Sequence, residues 1–374
     1  VYLVIRQIGV LILTLMAGRH ETTAGRELTA WDGQWFLGIA AGGYRNAPEW
    51  LTDANGERFA ETSLAFFPGY PKVVGGLADL IGLRYSSAAF VVTLLCGVVA
   101  AYGVYRIGTL VRDGSRRAGL ILVALFAASP MAVVLSMTYS EAMFCACASW
   151  VLVFLLRRQW LAAGALCGLA GLVRITAVAL VLAVLVAAVV FLLRHREARV
   201  SERLAAVAAV VLAPLGVLGY LWWAGARISP GQGIVTQIGS WNELQATGWG
   251  SSFDGGAATA EYTVKALAEA QSAYDVGTVF VVLAAVVLAV GCCVNRQEWP
   301  LLAYGLGVVG MVAGSAGLMN SKARLLLPAF TLLIPVAVAL ARRRPATVLL
   351  VLGAAALVSG WFGAHSLLVW EYAI

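Results

Sequence analysis

The stretch Thr29–Tyr44, TAWDGQWFLGIAAGGY, follows a short apolar N-terminal segment. Trp31, Trp35 and Ile39 recur every four residues, flanked by Phe36, Ala40 and Gly43, which is the spacing of one apolar helix face. It predicts an amphipathic helix lying at a membrane surface, with Asp32 beside two indoles at the boundary of water and lipid. A carboxylate there has a bland use, as the N-cap of the helix. It also has a chemical one, as a general base. The surrounding sequence decides between them.

Outward from this stretch the chain is mostly apolar. Of its 374 residues 61% are hydrophobic and 12% charged, about half the charge of a soluble protein. The apolar residues fall in runs near the twenty or so needed to cross hydrocarbon, and the alternating segments of a β-barrel are absent. An all-α polytopic membrane protein is expected, with about eleven spans near 1–17, 86–108, 118–136, 141–157, 160–174, 177–193, 204–223, 276–294, 300–318, 325–341 and 346–369. The first window has no small-residue cleavage site ahead of a polar domain and reads as a span, not a signal peptide. A start at Val1 instead of Met suggests that further N-terminal sequence precedes it. The six cysteines lie in apolar runs without a CxxC pair, so neither a disulfide framework nor a zinc site is expected.

The net charge of +7 is a topology signal more than a nucleic-acid footprint. The clusters VRDGSRR, RRQ, RHREARVSER, NRQ and ARRRP all fall on one side if the spans alternate, and by the positive-inside rule that side is the cytoplasm. It would also offer a basic surface to anionic membrane lipid. Asp113, Glu197, Glu202 and Glu298 share that side, and the other acids face out. Two long polar segments, 18–85 and 224–275, and three short ones around MTYSE, RIT and MNSKAR face out as well. Chemistry is expected there, with interfacial helices in the first of these loops.

The outer side carries the candidate residues. Glu141 opens the fourth span, where a first-turn carboxylate suits the helix dipole or binds substrate hydroxyls. Arg174 interrupts an apolar run, at about 2.5–3.5 kcal/mol even on the lenient insertion scale; it either snorkels or meets an acid or phosphate. Arg324 and Lys322 start another span, as interface anchors or as phosphate ligands. His20 and His365 lie outside, while His195 sits in a basic cytoplasmic loop. Gln237, Trp241 and Trp249 are candidates to stack on or bond a sugar, or to face lipid.

WDGQWFLGIAAGGY, then AFFPGYP, TYSEAMF, GLVRITA and RLLLPAF, in this order along most of the chain, resemble the GPI mannosyltransferase II (PIG-V-like) family, and especially its actinobacterial relatives. Relatives often read RPTG where this chain has RITA and RY where it has Arg324-Leu325; both differences leave the arginine in place. Lysine occurs only at Lys72, Lys265 and Lys322, and such arginine preference fits a GC-rich bacterial genome. The resemblance implies a GT-C glycosyltransferase fold, with residues 1–374 as one integral-membrane domain in a bacterial plasma membrane. It further implies inverting transfer of a sugar, usually mannose, from a polyprenyl-phosphate donor to a lipid or glycan acceptor on the extracytoplasmic face, with Asp32 as base.

That chemistry suits these residues. A prenyl-linked sugar presents its reactive carbon at the membrane surface, where Trp31 and Trp35 would anchor the loop bearing Asp32. The leaving phosphate needs no proton but does need its charge stabilised, which is work for Arg174, Arg324 or Lys322. One phosphate requires no divalent cation, and no cofactor is expected. Trp31, Trp35, Glu141, Gln237, Trp249, His20 and His365 are then candidates for substrate contacts. A transporter or lipid flippase using Glu141 and Arg174 is the main alternative, although no repeated block is visible. A non-catalytic assembly protein, or a GT-C enzyme with another sugar or a protein acceptor, are further ones. Neither HExxH nor a GxGD pair supports an intramembrane protease.

Overall fold

The computed structural model describes residues 1–269, 272–317 and 319–370. Among these, regular structure is helical apart from one antiparallel bridge, Phe253–Ser315. The first outer segment follows α1 (Tyr2–Ala17) and contains α2 (Ala24–Glu27), α3 (Asp32–Gly42), a 3-10 turn at Thr62–Ala65 and α4 (Gly69–Ile81). The chain then runs through α5 (Tyr85–Leu110), α6 (Arg116–Ala127), α7 (Glu141–Leu156), α8 (Trp160–Ala170), α9 (Ala177–Arg194), α10 (Val200–Leu212) and α11 (Leu215–Ile228). The second outer segment holds α12 (Ile234–Trp249) and α13 (Ala257–Glu269). After it come α14 (Ala273–Val294), α15 (Trp299–Ala313), α16 (Lys322–Leu325), α17 (Ile334–Ala341) and α18 (Pro345–Leu368).

Every expected hydropathy window contains helix, but few reach full span length. Among the described residues five are long and apolar enough to cross a membrane alone: α5, α9, the run Val200–Ile228, α14 and α18; a pair bent by 54° at residue 326 would make a sixth. Four more, α1, α7, α8 and α15, are apolar but shorter. Leu318, at the end of the ninth window, lies outside the described residues, as do Ala270 and Gln271 of the second outer segment.

The shortening has a physical reason. Helices break at 128–140, 171–176 and 314–317, and irregular backbone at membrane depth persists only where protein or a cavity satisfies it. Arg6, buried in the first half of α1, serves one break: its Nη1 donates to Ala127 O at 3.0 Å and its Nε to Ser136 Oγ at 3.1 Å. Helices approach closely where small residues meet. Gly103 of α5 faces Ser149 of α7, and Gly164 of α8 faces Ala209 of α10.

The basic loops gather at one end of the bundle. Arg112 N donates to Glu298 Oε1 (2.6 Å), Arg117 to Arg343 O (2.7 Å), Arg158 meets His195 (2.9 Å), and Asp113 pairs with Arg342 (3.4 Å). Helix α7 runs 16 residues, about 24 Å, from this end to the opposite one, where Glu141 begins it. The segments 128–140 and 171–176 and the start of α16 meet at that opposite end, where Arg174 and Arg324 reach Glu141.

Candidate active site

Asp32 is the first residue of α3, and its carboxylate does not cap the helix; Trp31 holds the cap position without a side-chain bond. The Trp31 backbone lies at φ 54°, ψ −123°, a conformation that costs a bulky L residue about 1–3 kcal/mol. The Asp32 side chain instead accepts from Arg324 Nη1 at 2.6 Å. Across Arg324 the charges continue: its Nε lies 3.6 Å from Glu141 Oε1, and Glu141 Oε1 lies 2.8 Å from Arg174 Nη1. Arg174 Nη1 also donates to Ser140 Oγ at 3.0 Å, and the Arg324 guanidinium lies over the Tyr139 ring, 5.3 Å from its centroid. Acid, base, acid, base form one ladder assembled from four separate chain segments.

Two glycines of the motifs explain how the ladder is held. A Cβ on Gly33, next to Asp32, would stand 2.5 Å from Thr138 Oγ1, so only glycine lets α3 press against the segment before α7. In FPGYP, Gly69 N donates to Leu172 O at 2.7 Å, and a Cβ there would meet that carbonyl at 2.8 Å. Gly69 thus fixes the backbone two residues ahead of Arg174. Gly69→Ala is expected to displace residues 172–174 and cost about 1–3 kcal/mol, the usual range for overpacking. A detergent melting curve checks this, and an unchanged midpoint would show that the segment yields freely.

The two outer segments close over the site. Carbonyls of the first accept from side chains of α11 and α12: Leu64 O from Trp241 (3.0 Å), Ala65 O from Gln245 (3.2 Å), and Phe66 O from Tyr220 (2.7 Å). Backbone bonds then tie the second to the turn before α16, Ala316 N to Ser252 O (2.7 Å) and Asp254 N to Gly314 O (3.0 Å). Beneath them lies a cavity of about 220 Å³. Its lining includes Asp32, Arg174, Lys322 and Arg324 together with Phe66, Phe67, Trp241, Gln245 and Trp249.

Several expectations change here. Glu141 is fully buried and absent from the cavity lining, where it pairs with the two arginines. Lys322 is not an interface anchor. It is buried, and its Nζ donates to Val312 O (2.7 Å) and Ser315 O (2.6 Å), capping the end of α15. Trp35 does not lie against lipid: it is buried with Ile39, Ala47 and Leu51, stacked 5.1 Å from Phe66 and covered by Arg58. Trp31 is partly exposed and off the cavity. Gln237 is buried where α12 crosses α11, its carbonyl against Gly225. His20 is exposed in the turn after α1, and His365 stacks on Trp361 within α18; neither lines the cavity. Gln245 and Ser321 line it and were not anticipated; Ser321 Oγ is buried with no hydrogen-bond partner among the described residues. A short polar side chain in a loop gives a sequence reader no cost signal to notice.

Comparison with known proteins points in one direction. The family model described as dolichyl-phosphate-mannose-protein mannosyltransferase matches residues 68–223, which include Glu141 and Arg174. Over 131 residues, 31% of this chain, the sequence is 30% identical to GPI mannosyltransferase pigv-1 of Caenorhabditis elegans, covering 17% of that protein. The fold is similar to that of ArnT from Cupriavidus metallidurans bound to undecaprenyl phosphate, with a TM-score of 0.56 and 17% identity over 94% of this chain and 62% of ArnT. Against apo ArnT the TM-score is 0.52, with 18% identity over 86% of this chain and 56% of ArnT. The chain spans less than two thirds of the length of each of these proteins. Its helical architecture is thus similar to that of ArnT.

Proposed function

We propose that the chain is an inverting GT-C glycosyltransferase that moves a mannosyl residue from a polyprenyl-phosphate-mannose donor to a lipid-linked glycan or lipoglycan acceptor. The observation that carries this reading is the shared cavity, in which one accessible acid, Asp32, joins three cations and several aromatic side chains. The family match to mannosyltransferases supports the sugar, and the undecaprenyl phosphate bound to ArnT supports a prenyl phosphate. The concentration of arginines at the far end of the bundle supports an extracytoplasmic site in a bacterial plasma membrane.

In this mechanism the acceptor hydroxyl hands its proton to Asp32 while its oxygen attacks the anomeric carbon from the face opposite the phosphate. The carbon–oxygen bond to the phosphate breaks, and its electron pair leaves with the prenyl phosphate. The transition state is oxocarbenium-like, as in glycoside hydrolysis. Arg324 donates to only one Asp32 oxygen, and the other remains for the acceptor. Arg174, the remaining guanidinium nitrogens of Arg324, Lys322 and the unpartnered Ser321 hydroxyl supply charge and donors for the departing phosphate. The aromatic side chains of the lining offer faces for the sugar or the first isoprene units.

Purified protein incubated with a panel of polyprenyl-phosphate sugars and lipid acceptors is expected to form a glycosylated lipid, identified by mass spectrometry. Movement of labelled donor across vesicles without transfer would favour a flippase and overturn this reading. Turnover is expected to survive EDTA, since the mechanism calls on no divalent cation; loss on chelation and recovery with added metal would refute that part.

A further inference from the structure

We infer that Glu141 is a positioning residue whose charge keeps the site from holding prenyl phosphate too tightly. This rests on the proposed transfer reaction. Glu141 is fully buried at the start of α7, away from the cavity wall, with Oε1 2.8 Å from Arg174 Nη1 and 3.6 Å from Arg324 Nε. Neither carboxylate oxygen accepts a well-aligned hydrogen bond. The contact is one of charge, and it is shared between the two cations that face the cavity.

The charge balance gives Glu141 its purpose. Asp32 and Glu141 offset Arg174 and Arg324, so the empty site carries the single excess charge of Lys322. A donor phosphodiester, with one negative charge, neutralises it. After transfer the free phosphate carries close to two negative charges near neutral pH, but Asp32 has gained the acceptor's proton, so the site is again near neutral. Without Glu141 the same site carries one more positive charge at every stage than it does with it. Beside the buried guanidinium of Arg324 that charge is weakly screened, and it strengthens binding of the donor and of the departing phosphate.

A disrupted fold and a charge role have opposite signatures. In Glu141→Gln, which keeps shape and removes charge, the dissociation constant for undecaprenyl monophosphate is expected to fall about tenfold. Quenching of tryptophan emission reads this, because Trp241 and Trp249 line the cavity. Turnover is expected to fall together with the donor KM. An equal or weaker affinity in folded protein would overturn the inference. Should Glu141→Gln not fold, Glu141→Asp keeps the charge one methylene short; it is expected to hold both phosphate affinity and turnover within about threefold of the wild type, and a tenfold tighter phosphate dissociation constant in that variant would overturn the inference. The binding readout needs no sugar transfer, so failure of the wild-type protein to transfer any sugar would strike the proposed function alone.

Discussion

Asp32→Asn is expected to lower turnover at least about a hundredfold, since general-base assistance is typically worth about 10²–10⁴ in rate. Asparagine fills the same space, and its carbonyl can still accept from Arg324 Nη1, which now sits 2.6 Å from Asp32 Oδ2. The ladder therefore keeps its shape while the group that takes the acceptor proton is lost. The Asp32 side chain is 26% exposed, so water offsets part of the lost ion pair, and the melting midpoint should move little. Donor affinity should hold or rise, because the cavity gains net positive charge. Turnover near that of the wild type would remove Asp32 from the mechanism and leave the assembly-protein reading in better standing.

How far the sequence showed this site depends on the residue. Arg174, Lys322, Arg324 and Asp32 were legible because charge near an apolar run is costly and so carries information. Arg6 offered the same signal, a cation within the first apolar window, and it holds the broken end of α6. The ladder itself was not legible: Asp32 and Arg324 lie 292 residues apart, and neither spacing nor periodicity reports a contact at that distance. Aromatic spacing misled at Trp35, since an apolar helix face reads the same whether it meets lipid or, as here, Phe66. Hydropathy windows found the helices but averaged over the breaks at 128–140 and 314–317, where the chain turns into the site. Glu141 was placed correctly at the start of a helix, yet its complete burial changes the partner it serves.

Arg324→Gln is expected to be the most damaging single change, acting on stability and chemistry together. The Arg324 side chain is 8% exposed and divides its nitrogens between two acids, Nη1 on Asp32 and Nε toward Glu141. Removing one partner of a buried pair costs about 3–5 kcal/mol because the other charge is stranded. Here Glu141 keeps Arg174 at 2.8 Å, so the lower end of that range applies. Loss of a donor to the developing phosphate charge typically removes about 10²–10³ in kcat, and a displaced Asp32 adds to it. Arg324→Lys separates the two effects. Lysine restores a cation but presents a single nitrogen in place of a planar fork, and cannot reach both carboxylates from one rotamer. Its melting midpoint should recover toward the wild type while kcat/KM stays at least about tenfold low. Full recovery of kcat/KM in Arg324→Lys would show that charge alone matters there, and that the fork holding Asp32 to Glu141 has no part in the reaction.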